Sequence, residues 1–311
     1  MKIRVMKVLL VAALALPLSA KEETVATAVY GRVGNGYHRE KQQDGSFKPE
    51  YYALSNGGRI AGTWSDNTVE RVSYPEVAEI AMKLLAQQNY HYAKSAGQAK
   101  LLLVLQWGST IAPNMAHQQL NIAAAGAALE VLTAMKNNNA AAGFGPSPGF
   151  ATGEDVEASN AAAAFENAMA RLLADNRVRD QLNEKNARVL GYLDDLADSN
   201  DIRRWAGGGD RYIDLITDVE ESRYYIVISA YDFTDLTKHQ KRKLLWQTRV
   251  SVRSPGNRFD YAVVPMLKSA SKYFGQDSGR LVRSEETRGT VEMGDIKFIG
   301  EAKEPAKGGR K

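Results

Sequence analysis

The sequence predicts an α+β protein: a mixed or antiparallel sheet with helices on one face, interrupted by a long alanine-rich helical hairpin. Three observations carry this. Two apolar runs of strand length, Leu101–Trp107 and Tyr224–Tyr231, stand far apart in the chain. Each has a neighbouring stripe of apolar residues at helical spacing. Between them, residues 113–205 change in composition: 18 of the 55 residues from Ala116 to Ala170 are alanine. Over the same region, the only charged residues between Lys100 and Glu154 are Glu130 and Lys136.

Taken from the N-terminus, residues 1–20 have the three parts of a secretory signal peptide. Lys2, Arg4 and Lys7 form a basic start, Val8 to Leu16 an apolar run broken by Pro17, and Leu18-Ser19-Ala20 a cleavage site. Cleavage is expected between Ala20 and Lys21. The apolar run is too short to span ~30 Å of hydrocarbon. Residues 21–58, punctuated by Gly31, Gly34, Gly36, Gly45, Gly57 and Gly58, read as weakly structured, with Val25–Val33 as one edge strand. The α+β domain is expected over 59–112 and 206–300. A short strand over Ile60–Trp64 precedes a helix that starts at Pro75 and Glu76, where proline suits the first turn and the acid suits the helix dipole. Val77, Ile80, Ala81, Leu84 and Leu85 form its apolar stripe, and Asn89 suits a left-handed stop. Leu101–Trp107, apolar throughout, is expected to be covered on both faces.

The insertion, residues 113–205, reads as helices over Leu120–Met135 and Ala158–Leu196, joined by a flexible Asn137–Gly153 linker. Phe165, Ala168, Met169, Leu172 and Leu173, then Leu182, Val189 and Leu193, mark the apolar stripe of the second helix. After Tyr224–Tyr231 comes a basic connection containing Lys238, Lys241, Arg242 and Lys243. The next strand alternates, with Leu244, Trp246, Thr248, Val250 and Val252 facing inward. Gln247, Arg249, Ser251 and Arg253 face water, as beside an antiparallel partner. A helix carrying Phe259, Ala262, Val263, Met266, Leu267 and Ala270 comes next, and Pro265 sets its expected start near Ala262. Val291–Ile299 adds a last strand, and 301–311 form a disordered tail.

At 311 residues, 44% hydrophobic and 24% charged, the chain can bury a substantial core. With no cysteine it has no disulfide, thiolate metal site or lipid-bearing cysteine. Loss of the leader removes three of the 40 Lys+Arg and none of the 36 Asp+Glu, leaving 37 against 36. So balanced a mature chain makes no electrostatic case for nucleic acid.

Chemistry-bearing residues are scattered. His38, His91, His117 and His239 form no ligand pair on one helix face. The densest carboxylates are Asp194 with Asp195, and Asp214, Asp218, Glu220 and Glu221. A solvated face explains them better than a hydrolase pair. Asp232, at a strand end, suits turn initiation. The glycine clusters lack the context of a phosphate or dinucleotide loop. Trp64, Trp107, Trp205 and Trp246 suit core packing. No catalytic, cofactor or metal residue is assigned.

The helix end Gln88-Asn89-Tyr90, followed by the strand Leu101–Trp107 and Gly108, is similar to a helix, glycine-tyrosine, apolar-strand pattern. That pattern belongs to a bacterial envelope family, domain of unknown function 4136. Lys243-Leu-Leu-Trp246-Gln-Thr-Arg249 resembles the same family's strand after a hairpin. Asn89 stands where that family has glycine, and Lys100 where it has an acid. The resemblance covers 51–108 and 222–275. It implies an exported α+β domain and carries over no catalytic residue. Family members are typically lipoproteins, which this cysteine-free chain cannot be. The expectation is an exported, periplasmic or peripherally envelope-associated binding or scaffolding protein. It would meet an envelope protein partner through the insertion, with no transmembrane span in the mature chain. The alternative is a secreted or periplasmic hydrolase using Asp and Glu residues.

Overall fold

The computed structural model describes residues 23–62, 65–141, 153–206 and 209–287. The expected cleavage site at Ala20 and Lys21, the strand Val291–Ile299 and the tail lie outside these residues. Among them the chain forms β1 (Thr24–Val33), β2 (Glu50–Ile60), α1 (Asn67–Glu70), α2 (Tyr74–Gln87), β3 (Tyr90–Tyr92) and β4 (Leu101–Ser109). Then come α3 (Met115–Ala141), α4 (Gly153–Leu190), α5 (Leu193–Ala206) and α6 (Gly209–Glu220). The last elements are β5 (Arg223–Asp232), α7 (Phe233–His239), β6 (Leu244–Arg253), α8 (Phe259–Ser271) and β7 (Val282–Thr287). The seven strands make one mixed sheet in the order β3-β2-β4-β5-β6-β1-β7. β2 runs parallel to β3 and β4, and every other pair is antiparallel.

Residues 21–58 are the first correction. They hold two strands of the sheet, and β1 is an inner strand between β6 and β7. The glycines that suggested looseness include two that mark close approach. A Cβ on Gly31 would sit 2.7 Å from the Gln276 carbonyl oxygen, and one on Gly57 2.8 Å from that of Leu105. The strand–helix–strand unit is present, but its first strand is β2, which ends at Ile60 where a new strand was expected to begin.

α2 starts with a capping box between Ser73 and Glu76, with Pro75 in its first turn. Asn89, at φ +59°, takes the left-handed conformation that lets the chain turn directly into β3. One face of the sheet carries a row of apolar partners, Trp107, Ile226, Val250, Val29 and Val282, across five strands. α2 and α8 cover this face with Val77, Ala81, Leu85, Phe259, Met266 and Leu267, all fully buried. α8 begins at Phe259, earlier than Pro265 suggested. Its first turn is held by Phe259 N–H donating to Thr68 Oγ1 at 3.1 Å and by the edge of the Tyr224 ring. Pro265 therefore sits inside the helix on its packed face, at the cost of one backbone bond.

The base of the insertion covers part of the opposite face. Ala187, Leu190 and Tyr192, from the end of α4 and just after it, join Leu215 and Val219 of α6 against Ala28, Tyr225 and Val227. This cover explains two departures from expectation. Ser251, expected to be wet, is fully buried and accepts from Arg223 Nε at 3.2 Å. β4 lies beyond the cover, so Leu102 and Val104 are only half-buried. No helix among the described residues is long and apolar enough to cross a membrane.

Candidate functional site

The insertion is a helical hairpin standing on the sheet. Asn114 Oδ1 accepts from the backbone N–H of His117 at 3.1 Å and caps the start of α3. Over 27 residues α3 extends about 40 Å, and α4, with 38, about 57 Å. Over residues 115–137 of α3 the buried and half-buried positions are Gln118, Asn121, Ala125, Ala128, Leu132 and Met135. On α4 they include Ala161, Phe165, Ala168, Leu172, Asp175 and Arg179. Both sets step by three and four alternately, the spacing of an antiparallel coiled-coil seam. Alanines let the helices approach closely, and polar side chains fix the register at the base. Gln118 Nε2 donates to Asn176 Oδ1 at 3.0 Å, Asn121 Nδ2 donates to Asp175, and His117 Nδ1 lies 3.2 Å from Asp175.

The seam uses only one side of α3. Thirteen large hydrophobic residues are exposed among the described residues, and eight belong to the hairpin, which singles it out from the rest of the surface. They are Met115, Leu120, Ile122, Leu129, Val131, Val156, Leu173 and Val178. Leu120 is 68% exposed, Ile122 52% and Leu173 54%, values typical of solvent-facing polar residues. Helical spacing sorts the α3 residues into two rows flanking the seam. Met115, Ile122 and Leu129 form one, at intervals of seven. Leu120, Ala124, Ala127 and Val131 form the other.

The helix expected over Ala158–Leu196 is broken. Gly191, at φ +84°, ends α4, and the N–H groups of Gly191 and Tyr192 both donate to the Ala187 carbonyl at 2.9 and 2.8 Å. A Cβ at Gly191 would lie 2.8 Å from the Tyr30 side chain, so the helix end rests on that ring. A glycine within the apolar stripe was the sequence signal for this stop.

Five of the six carboxylates singled out by sequence are engaged. Asp194 accepts from the Tyr30 hydroxyl and from Arg32 Nη1 at 3.2 Å. Burial first, and then the Asp194 carboxylate, push the Tyr30 hydroxyl up to about 12. Asp195 points the other way, accepting from Arg211 and from the Leu281 N–H at 2.7 Å. Asp218 accepts from Tyr192 Oη at 3.0 Å, Arg223 Nη1 at 2.9 Å and Arg283 Nη2 at 2.8 Å. Glu220 accepts from Arg179 Nε at 2.7 Å and Asn183 Nδ2 at 2.8 Å, and Glu221 pairs with Arg253. These pairs tie α4, α6 and the sheet together. An open cleft of about 500 Å³ lies among them, lined by Asp195, Arg211, Asp214, Arg280, Leu281 and Arg283.

Asp232 caps α7, accepting from the N–H groups of Thr234 and Asp235 at 2.9 and 3.0 Å, as its position before a turn suggested. Trp107 and Trp246 are core residues, whereas Trp64 and the side chain of Trp205 lie outside what is described. Of the other histidines, His38 lies 3.3 Å from the Gly36 carbonyl, His91 packs against the Tyr51 ring, and His239 ends α7.

One cluster had no sequence signal. The Arg39 guanidinium lies between the rings of Phe47 and Tyr90, 4.1 and 4.0 Å from their centroids, and donates to the Gln88 carbonyl at 2.6 Å. Glu50 lies 3.9 Å from it and accepts from the Tyr37 hydroxyl at 2.9 Å. Burial pushes the Glu50 carboxyl above the usual carboxylate range, against the opposing pull of Tyr37 and Arg39. The cluster pins residues 37–50 onto the sheet.

No family model matches the chain. No curated protein matches it either.

Proposed function

We propose that this protein is an exported, envelope-associated binding or scaffolding protein of the bacterial periplasm, without catalytic activity, and that the α3–α4 hairpin is its contact element. The observation that carries this reading is the outer surface of α3, where Leu120, Ile122, Leu129 and Val131 stand exposed on a helix with only Glu130 and Lys136 as formal charges. Exposed apolar rows of this kind, held away from the core, are characteristic of contact sites between proteins. A lipid-surface role fits less well. An interfacial helix carries basic residues on its polar face and aromatic residues on its apolar one, and α3 has one lysine and no aromatic. The basic, apolar and small-residue parts of 1–20 support export. The pairing of Asp194, Asp195, Asp218, Glu220 and Glu221 with cations or hydroxyls supports a structural role for those groups.

The test is expression of the full chain in a bacterial host with a photo-crosslinking residue at Leu120 or Val131. A mature species beginning at Lys21, recovered with the envelope and crosslinked to an envelope protein, is expected. A full-length cytosolic species would overturn the localisation. Envelope association that persists after residues 119–175 are replaced by a short linker would overturn the role of the arm.

A further inference from the structure

The row formed by Met115, Ile122 and Leu129 differs from the Leu120 row because α4 extends it. Gln118 bonds to Asn176 across the seam, which sets the level of one helix against the other. With a rise of about 1.5 Å per residue, Ile122 then stands about level with Leu173, and Leu129 about one turn from Met169. All four lie on the side of the hairpin that carries the Gln118–Asn176 bond. The result is one broad face made by both helices, with exposed Ile122, Leu129 and Leu173 around half-buried Met169. Charges on the same heptad rows are few. Lys136 extends the α3 row towards the tip, while Glu166 and Asp180 flank Leu173 on α4.

We infer that this face is the self-association surface of the protein, where a second copy of the hairpin packs antiparallel to complete a four-helix bundle. The inference deepens the reading of the arm as a contact element by naming the occupant of one face, and leaves the Leu120 row for a different partner. Three features select a second copy. The first is area: two helices about 20 Å across and about 40 Å long present roughly 800 Å², the share per partner of a stable interface. The second is geometry. The face lies about a quarter-turn round α3 from the seam, where the next helix of a four-helix bundle sits. The third is self-complementarity, which a twofold interface requires. A twofold axis across the helices at Met169 lays α3 on the other copy's α3 and α4 on its α4, which brings the two Met169 side chains together and each Ile122 to the level of the other copy's Leu129.

The absence of native cysteine makes this register directly testable. The purified protein is expected to have twice the chain mass at micromolar concentration. Met169→Cys should crosslink to its own copy on oxidation. Met115→Cys, about 30 Å from its counterpart across that axis, should not. Ile122→Glu with Leu129→Glu should yield a monomer of unchanged helix content, since both side chains point away from the seam. A monomer at tens of micromolar, a dimer that survives the two glutamates, or crosslinking at Met115 in place of Met169 would each overturn the inference. A dimer that forms without envelope association would leave it standing and defeat the binding role. A monomer that still crosslinks through Leu120 would do the reverse.

Discussion

Asp66 combines two jobs in one carboxylate. It caps α1 by accepting from the Thr68 N–H and hydroxyl, and it accepts from the Tyr224 hydroxyl at 2.5 Å. Partial burial raises its pKa, but these donors outweigh that, and the carboxyl titrates below its ordinary value. The sign follows from linkage: a depressed folded-state pKa adds stability that is fully present above the unfolded value and is lost as pH falls through the folded one. Asp66→Ala is therefore expected to cost about 1 kcal/mol at neutral pH. In denaturant titrations, the gap between variant and parent should narrow below the usual carboxylate range. A gap of constant size from neutral pH to pH ~2 would show that the carboxylate's charge contributes nothing. Asp232 was legible as a turn former because a carboxylate beside a strand end caps the next helical turn. Arg39 was not legible, since nothing local distinguishes an arginine clamped between Phe47 and Tyr90 from one in solvent.

Helix ends and helix faces were legible to different degrees. Pro75 and Glu76 announce α2 by local chemistry, and the structure starts the helix one residue earlier, at Tyr74. Gly191 carries a signal of the same kind, but the apolar stripe continues past it to Leu193 and masks the stop. Its φ of +84° and the Tyr30 ring 2.8 Å from an added Cβ make Gly191→Ala doubly unfavourable. We expect a loss of more than about 1 kcal/mol, since the left-handed strain alone exceeds the usual gain from removing a glycine. Gly126, within α3 and with open space around its Cβ, should respond in the opposite direction. Gly126→Ala should strengthen the helix by about 0.5–1 kcal/mol. Thermal unfolding of the two variants decides the matter. If Gly191→Ala melts with the parent, the stop at Leu190 is not held by that glycine.

The molecule divides at a different place from the one composition suggests. Residues 113–205 differ from the rest of the chain in alanine and charge content, yet the end of α4 is part of the second core. Asn186 Nδ2 donates to the carbonyls of Ile111 and Val219 at 2.8 and 3.0 Å, and Leu190 and Tyr192 are fully buried. The separable unit is the arm beyond the Gln118–Asn176 bond. Replacing residues 119–175 with a short Gly/Ser linker should leave a single cooperative unfolding transition near that of the parent, because loop closure there is cheap. Replacing residues 114–203 should not, since it uncovers Ala28, Tyr225 and Val227. Equal stability of the two deletions in calorimetry would return the boundary to the ends of the insertion. By itself, the sequence determined the fold class, the strands over Leu101–Trp107, Tyr224–Tyr231 and Leu244–Arg253, the α2 and α8 stripes and the existence of the hairpin. Each is written within a single segment, as a continuous apolar run, a repeat of two or about 3.6 residues, or a shift in composition, and such signals need no knowledge of neighbours. Only the tertiary structure decided that β1 is an inner strand, that Ser251 is dry, and that Asp194 and Asp195 point to different partners. It also decided which side of α3 remains bare. Those outcomes depend on which distant surface arrives to exclude water, and no local period encodes that.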